Sequence, residues 1–440
     1  MFAAPAALLV AGVGATAALL ALAAPIAAAL APLAVAFAGL WLALHRARRS
    51  VPAVALVLAL AAILRLLCLP LPPVLSTDVW RYLWDGRVAA HGENPYLLAP
   101  DARQLEPLRD PSWQRLDHRQ IPTVYPPLAV GLWSLLARLP APLVGWKLLV
   151  AAADLGACWM LVRLADRAGL SRAGALAYAW NPLPALEGAG MGHLEPLGVA
   201  ACTAVLLALV SRPPRLLGAA AAAVAGVLVK LAPAAMLPAW SRHSGRPAAF
   251  LALTAGLVAA ASLPVLVASG GVPPGLVAYA VSWEFGGPLY EPLWRLLALA
   301  RLDELLAHGL DLTQRSFGLE GALRHLYPWL YPQSLARVGL ALAALAVVVR
   351  SWRIADPIAA TATVFGGLLL CSPTVYPWYL LWALPWAALL GWGAWLWLSA
   401  AVLLTYLPQA GVVPLWPWVH LLVWGPFFLL ALMGRRWTGG

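Results

Sequence analysis

Lysine is almost missing from this sequence, occurring only at Lys147 and Lys230. Charge of either sign is scarce, at 11% of residues, where a soluble domain carries about 25%. Apolar residues make up 62% of the 440, more than one aqueous core can bury, because single cores stop growing at about 250–300 residues. A soluble enzyme, a nucleic-acid-binding protein and a secreted scaffold are excluded, and the expected solvent is a bilayer. The four cysteines, Cys68, Cys158, Cys202 and Cys371, stand singly in apolar runs. With no CxxC pair and no His-rich spacing, neither zinc nor a disulfide framework is indicated. No Asp-x-Asp triplet occurs, and nothing suggests the soluble α/β domain and phosphate loop of a nucleotide-sugar enzyme. No basic residue precedes Arg46, so the first apolar run is expected to be a retained span rather than a cleaved signal peptide.

The net charge is +11, and its distribution is topological. Fourteen arginines sit in short clusters at 46–49, 163–172, 212–215, 242–246, 350–353 and 435–436. Short basic connections mark the cytoplasmic side of a membrane, so no polyanion-binding patch and no nucleic-acid partner is expected. The acids have the complementary arrangement: 13 of 18 lie in two polar stretches, within 72–125 and 281–325. The expected fold is all-α, a polytopic membrane protein of about 12–14 transmembrane helices at roughly 20 residues per span. Its expected sections are an N-terminal hairpin (1–50), a transmembrane module (51–269) with a first outer loop (72–125), a second outer loop (270–330) and C-terminal helices (331–440). A short helix in or near the outer face is expected from Pro126 to Leu139, and a half-span from Lys230 to Pro238. Both termini are placed in the cytoplasm of a bacterial cell.

Ionisable residues beside spans are costly in lipid and are functional candidates by default. In the first loop, Asp78, Arg81, Tyr82 and Asp85 fall on one face at helical spacing, with Arg87 just beyond. Arg81 is expected to hold Asp78 ionised. Gly92-Glu93-Asn94-Pro95-Tyr96 and Tyr125-Pro126-Pro127-Leu128 follow. Asn181-Pro182-Leu183 leads into Glu187, Gly192, His193, Leu194 and Glu195 at a Gly-rich kink. Lys230 interrupts an apolar run and needs an anionic partner, for which a lipid phosphate would serve. Ser372-Pro373-Thr374-Val375-Tyr376-Pro377-Trp378-Tyr379 places aromatics at a span end, and Glu284 and Tyr290 lie in the second loop.

Taken together and in this order, these motifs resemble the GT-C superfamily of polytopic glycosyltransferases. The resemblance is nearest to bacterial polyprenol-phosphate-mannose-dependent mannosyltransferases, and extends to the enzyme that adds the first mannose in GPI-anchor assembly. It covers residues 51–240 and 365–390. It implies inverting transfer of a sugar, expected to be mannose, from a polyprenyl-phosphate donor to a glycan, lipid or glycolipid acceptor at the outer membrane face. Asp78 is then the implied general base. Lys230, His193 and Arg87 are the expected donor-phosphate ligands. Arg81, Tyr82, Asp85, Asn94, Tyr96, Tyr125, Glu187, Glu195, Glu284, Tyr376, Trp378 and Tyr379 are the expected substrate contacts. No cofactor and no metal ligand set is indicated. Two departures are visible: bacterial relatives commonly carry two adjacent acids where this chain has Thr77-Asp78, and Asp where it has Glu195. Competing readings are a lipid-linked-sugar flippase, which would need charges in mid-span and paired halves, and an O-antigen-ligase-like transferase, whose key residues lie in a late loop.

Overall fold

The computed structural model describes residues 1–319, 321–434 and 436–437; Glu320 and Arg435 lie outside the described residues. The chain is all-α. Among the described residues there is no strand, only isolated bridges such as Phe285 with Thr374. Helices α1 (Ala3–Ala21) and α2 (Ile26–Ala47) form a hairpin, followed by α3 (Val54–Cys68). The first polar connection contains α4 (Asp78–Ala90), and α5 (Pro127–Leu136) follows it. Then come the 27-residue α6 (Pro142–Ala168) and α7 (Arg172–Ala179).

Six described helices are long and apolar enough to cross a membrane: α1, α2, α6, Pro247–Ala268, Pro332–Ser351 and Leu415–Leu432. A bent pair, Pro182–Gly190 with Glu195–Leu209, makes a seventh if counted as one span. Four shorter apolar helices accompany them: α3, α5, Leu216–Val229 and Pro357–Cys371. The apolar chain therefore contains fewer unbroken spans than its length suggests, because Pro, Gly and polar residues divide it. Residues 377–390 are a 3-10 turn (Pro377–Trp382) and a short helix (Leu384–Leu389). The Lys230–Pro238 segment is likewise a 3-10 turn, Ala232–Met236, running into the helix Leu237–His243.

The break at 182–195 is buried in protein. Residues 173–196 are enclosed without interruption, and such interiors are where irregular backbone is tolerated at membrane depth. By contrast, only Phe250 and Thr254 of the helix Pro247–Ala268 are buried, leaving its apolar surface for lipid.

One ion pair in this interior was not anticipated. Arg65 and Asp154 are both essentially unexposed, joined Nε to Oδ2 at 2.9 Å and Nη2 to Oδ2 at 2.8 Å. The hydroxyl of Tyr178 donates to the other carboxylate oxygen at 2.7 Å, and Arg65 also donates to the carbonyl oxygens of Ala61 and Ala179. This network ties α3, α6 and α7 together. A charge in such a medium must be paired. Asp154→Leu should therefore destabilise the protein by about 3–5 kcal/mol, and the double variant with Arg65→Met should recover much of that loss by removing the orphaned cation. Thermal unfolding in detergent measures both.

Candidate active site

The first polar connection folds back over the bundle and closes a cavity of about 700 Å³. Asp78 opens α4 at its edge, an end where the helix dipole favours a carboxylate; its backbone N–H donates to Ser76 Oγ at 3.3 Å. Behind it, Tyr82 stacks on Trp133 at 4.5 Å and is flanked edge-on by Tyr125 and Trp146. This packing aims the Tyr82 hydroxyl at Asp78 Oδ2, 3.5 Å away. It requires α4 and α5 to touch: a Cβ on Gly86 would lie 2.5 Å from the Trp133 backbone. The Asp78 side chain is 36% exposed, opening onto the cavity. Enclosure by protein pushes its carboxyl up to about 6, against the opposing pull of Lys230 and with the help of Glu195 and Asp117.

Arg81 does not hold Asp78 as expected. Its Nε donates to Asp85 Oδ1 at 2.8 Å, one helical turn onward, and its Nη2 to the carbonyl of Ile121 at 2.7 Å. Asp85 is buried and sits at i+4, so it takes the cation; the cation that bears on Asp78 is Lys230.

Lys230 and His193 are both placed by one break in the buried segment. Asn181 caps the chain ahead of it, accepting from Leu183 N–H at 3.0 Å and donating to Ser399 Oγ at 2.8 Å. A π-turn (Ala185–Gly190) follows, and the chain then bends by 119° into the helix Glu195–Leu209. Gly192, at φ +81°, makes the bend; a side chain there would be strained and would press on Val79. The Gly192 carbonyl accepts from the Trp146 indole at 2.7 Å, which fixes the bend to α6. Just past it, Glu195 forms an ion pair with Lys230. The helix Leu216–Val229 ends at Lys230, which is extended; its ammonium lies 4.5 Å from the centroid of the Tyr379 ring. His193 lies inside the bend, with Nδ1 3.8 Å from Asp78 Oδ2 and Nε2 3.5 Å from Glu187 Oε2.

A second cavity, of about 240 Å³, adjoins the first and is mostly apolar, with Leu231, Leu276, Phe365, Leu368, Trp382 and Lys230 in its walls. Tyr125, Tyr279 and Tyr379 line both cavities, and the hydroxyls of Tyr279 and Tyr379 lie 2.8 Å apart between them.

Of the expected contacts, Asp78, Arg81, Tyr125, Tyr376, Trp378 and Tyr379 line the larger cavity. Others are elsewhere. Arg87 is paired with Asp110 at 2.5 Å and bonded to the Leu108 carbonyl at 3.1 Å, lining neither cavity. The positive charge is spent inside the connection and is not turned toward a donor phosphate. His193 and Glu187 are enclosed behind the cavity wall. Asn94 shapes a turn, its side chain accepting from Tyr96 N–H at 2.9 Å, while the Tyr96 ring is buried. Glu284 is bound by Arg337 at 2.6 Å and by the Tyr290 hydroxyl at 2.5 Å; it is its neighbours Trp283 and Phe285 that reach the cavity.

The sequence reading passed over Asp117, His118, Tyr279, Tyr406 and Gln409, all of which line the larger cavity. Asp117 accepts from the Thr77 hydroxyl at 2.5 Å, closing the connection onto the start of α4. His118, at φ +49°, lies 4.4 Å from Trp283. No spacing links these residues to Asp78; the density of polar residues in the first loop is a signal for Asp117 and His118 alone, and Tyr279, Tyr406 and Gln409 have none. Among the described residues, no three His, Cys, Asp or Glu side chains form a metal-ligating group.

Residues 4–243, more than half the chain, match the family model described as alpha-(1->6)-mannopyranosyltransferase, N-terminal domain. A curated relative from Mycolicibacterium smegmatis, described as "Probable alpha-(1->6)-mannopyranosyltransferase", is 27% identical over 362 residues, which is 71% of this chain. The chain spans 61% of the length of that relative. No solved structure matches it.

The Arg87–Asp110 contact makes a prediction of its own. Burial works against the Asp110 carboxylate, but the hydrogen bonds from Arg87 and Ser112 outweigh it and hold the group down at about 2. A carboxyl lowered on folding stabilises above its ordinary value of 3.8 and loses that contribution as pH falls toward about 2. Limited proteolysis of the first connection should therefore accelerate below about pH 4, and Asp110→Ala should show the fast cleavage already at neutral pH.

Proposed function

We propose a mannosyl transfer in the membrane, from the premise that this chain belongs to the alpha-(1->6)-mannopyranosyltransferase family. The donor is a polyprenyl-phosphate-linked mannose, and the acceptor a hydroxyl of a glycan, lipid or glycolipid. The site works at the outer face of a bacterial inner membrane, with both termini in the cytoplasm and with GT-C-like architecture. The observation that carries this reading is the position of Lys230, which lines the apolar chamber against Tyr379, a residue shared with the chamber holding Asp78. A lipid-linked sugar phosphate has the matching order of parts: prenyl chain, phosphate, sugar. The chain would enter the apolar chamber, the phosphate would meet the ammonium, and the sugar would face Asp78.

The chemistry follows from that placement. The acceptor hydroxyl attacks the anomeric carbon on the face opposite the phosphate, and its proton passes to a carboxylate oxygen of Asp78. The bond between the anomeric carbon and the phosphate oxygen breaks, its electron pair leaving on the phosphate. Transfer therefore inverts the anomeric centre. Lys230 stabilises the charge that develops on the departing polyprenyl phosphate. Glu195 holds the ammonium in place until the phosphate arrives. Arg81, a cavity-lining cation fixed by Asp85, and the aromatic wall of Tyr376 and Trp378 suit the sugar rings.

Reconstituted protein should transfer mannose from a short polyprenyl-phosphate donor to a mannoside acceptor. Asp78→Asn should lower that rate by about 10²–10⁴-fold, the usual worth of a positioned base. Because the base must be ionised, wild-type turnover should rise with pH through about 6. Lys230→Gln should raise the KM for donor and lower kcat. Full activity in Asp78→Asn overturns the assignment of the base; movement of intact donor across the bilayer without transfer overturns the reaction.

A further inference from the structure

His193 is held in a way that a packing role does not account for. Its ring is wholly enclosed, yet among the described residues neither ring nitrogen has a hydrogen-bond partner. Instead each nitrogen faces a different carboxylate: Nδ1 faces Asp78 Oδ2 at 3.8 Å and Nε2 faces Glu187 Oε2 at 3.5 Å. The ring cannot swing away from this line. It stacks on Trp378 with centroids 3.8 Å apart and planes 13° apart; Trp378 stacks on Tyr376 at 4.6 Å, and Tyr376 on Phe285 at 4.5 Å. Its backbone N–H is tied to the Glu187 carbonyl at 3.1 Å. Glu187 is fully buried too, and the Tyr406 hydroxyl lies 2.9 and 3.1 Å from its two oxygens. Tyr406 comes from the far end of the sequence and also lines the larger cavity.

These contacts define a direction. The Tyr406 hydroxyl shared between the two oxygens of Glu187 favours the ionised carboxylate, against the burial that disfavours its charge. An ionised Glu187 accepts the imidazole N–H, which places that proton on Nε2, as a carboxylate partner commonly fixes a histidine tautomer. Nδ1 then presents a lone pair to Asp78. A lone pair opposes the ionised form of Asp78 and accepts a hydrogen bond from its protonated form.

We propose that His193, set as its Nε2–H tautomer by Glu187 and Tyr406, is a positioning residue that makes Asp78 a stronger base. This rests on the reading of Asp78 as the base. In the transfer step the acceptor O–H bond breaks, its proton goes to Asp78, and the freed electron pair forms the new bond to the anomeric carbon. The protonated Asp78 donates to His193 Nδ1 and afterwards releases its proton through the cavity. His193 touches neither substrate in this scheme, unlike the phosphate-binding part first expected of it. The other charged groups facing Asp78 are Lys230, Glu195 and Asp117, with the Tyr82 hydroxyl; Lys230 is also the cation that bears on His193. Glu195 and Asp78 also bear on Glu187 through space, so the shift in Glu187→Gln is read against the same substitution made in His193→Gln, where only the loss of charge remains.

The test compares wild type, Glu187→Gln, Tyr406→Phe, His193→Gln and Asp78→Asn in the reconstituted transfer assay, reading kcat and donor KM across pH. The amide of Glu187→Gln can donate to Nε2, which turns Nδ1 into the donor toward Asp78. The acidic limb of kcat should then move to lower pH by about half a unit or more, with kcat down on the order of tenfold and donor KM little changed. Tyr406→Phe should move the limb the same way by less, and His193→Gln should lose the wild-type limb position. An unmoved limb in both Glu187→Gln and Tyr406→Phe, whatever their rates, overturns the positioning role while leaving the base in place. Should Asp78→Asn itself remain active, the base assignment falls, and this proposal with it. Where Glu187→Gln yields too little folded protein, Tyr406→Phe alone decides the matter by its limb position.

Discussion

Inside a bundle that lies in lipid, a charge must find its counter-charge within the protein, and so much of this structure follows from where that happens. Two such pairings organise it. Arg65 with Asp154 locks α3, α6 and α7 into one body. Glu195 with Lys230 joins the bent segment to the end of the helix Leu216–Val229. The first is dry and closed, satisfied by Tyr178 and backbone carbonyls. The second is open on one side to an apolar chamber. That difference separates a structural pair from one poised to receive an anion, although both consist of one basic and one acidic residue.

The bend between Gly190 and Glu195 explains why an expensive break in a buried helix is kept. On a straight helix His193 and Glu195, two residues apart, would project from nearly opposite faces. The 119° turn brings His193 against Asp78 from behind and Glu195 against Lys230 from the side. Three backbone groups at the bend find partners: His193 N–H on the Glu187 carbonyl, Gly192 N–H on the Gly188 carbonyl and the Gly192 carbonyl on Trp146. The site is thus built on a rigid interior element, and the first connection supplies only Asp78 and the cavity wall.

That connection is itself internally paired. Arg81 with Asp85, Arg87 with Asp110 and Thr77 with Asp117 are bound to one another within it. A cluster of charges that reads from sequence as a dense functional site is, in three dimensions, mainly a folded loop holding one carboxylate at its edge. The second connection contributes through Trp283 and Phe285; Phe285 is pinned by its N–H to the Pro373 carbonyl at 3.0 Å and by the Val375 N–H to its own carbonyl at 2.6 Å.

The sequence by itself determined the solvent, the all-α class and the helical face that begins at Asp78, because hydrophobic excess and 3.6-residue periodicity are local properties. It also singled out Lys230, since an isolated cation in an apolar run is conspicuous without any structure. It assigned Arg81 to Asp78 when the neighbour one turn onward, Asp85, is buried and takes the guanidinium. It placed His193 and Arg87 on a phosphate when one is enclosed between two carboxylates and the other is bound to Asp110. Those outcomes, and the appearance of Tyr279, Asp117 and Tyr406 at the cavity, were decided only by tertiary structure. Tyr406 lies 219 residues from the Glu187 it bonds, and no local pattern encodes a contact whose partners meet only when the whole bundle closes.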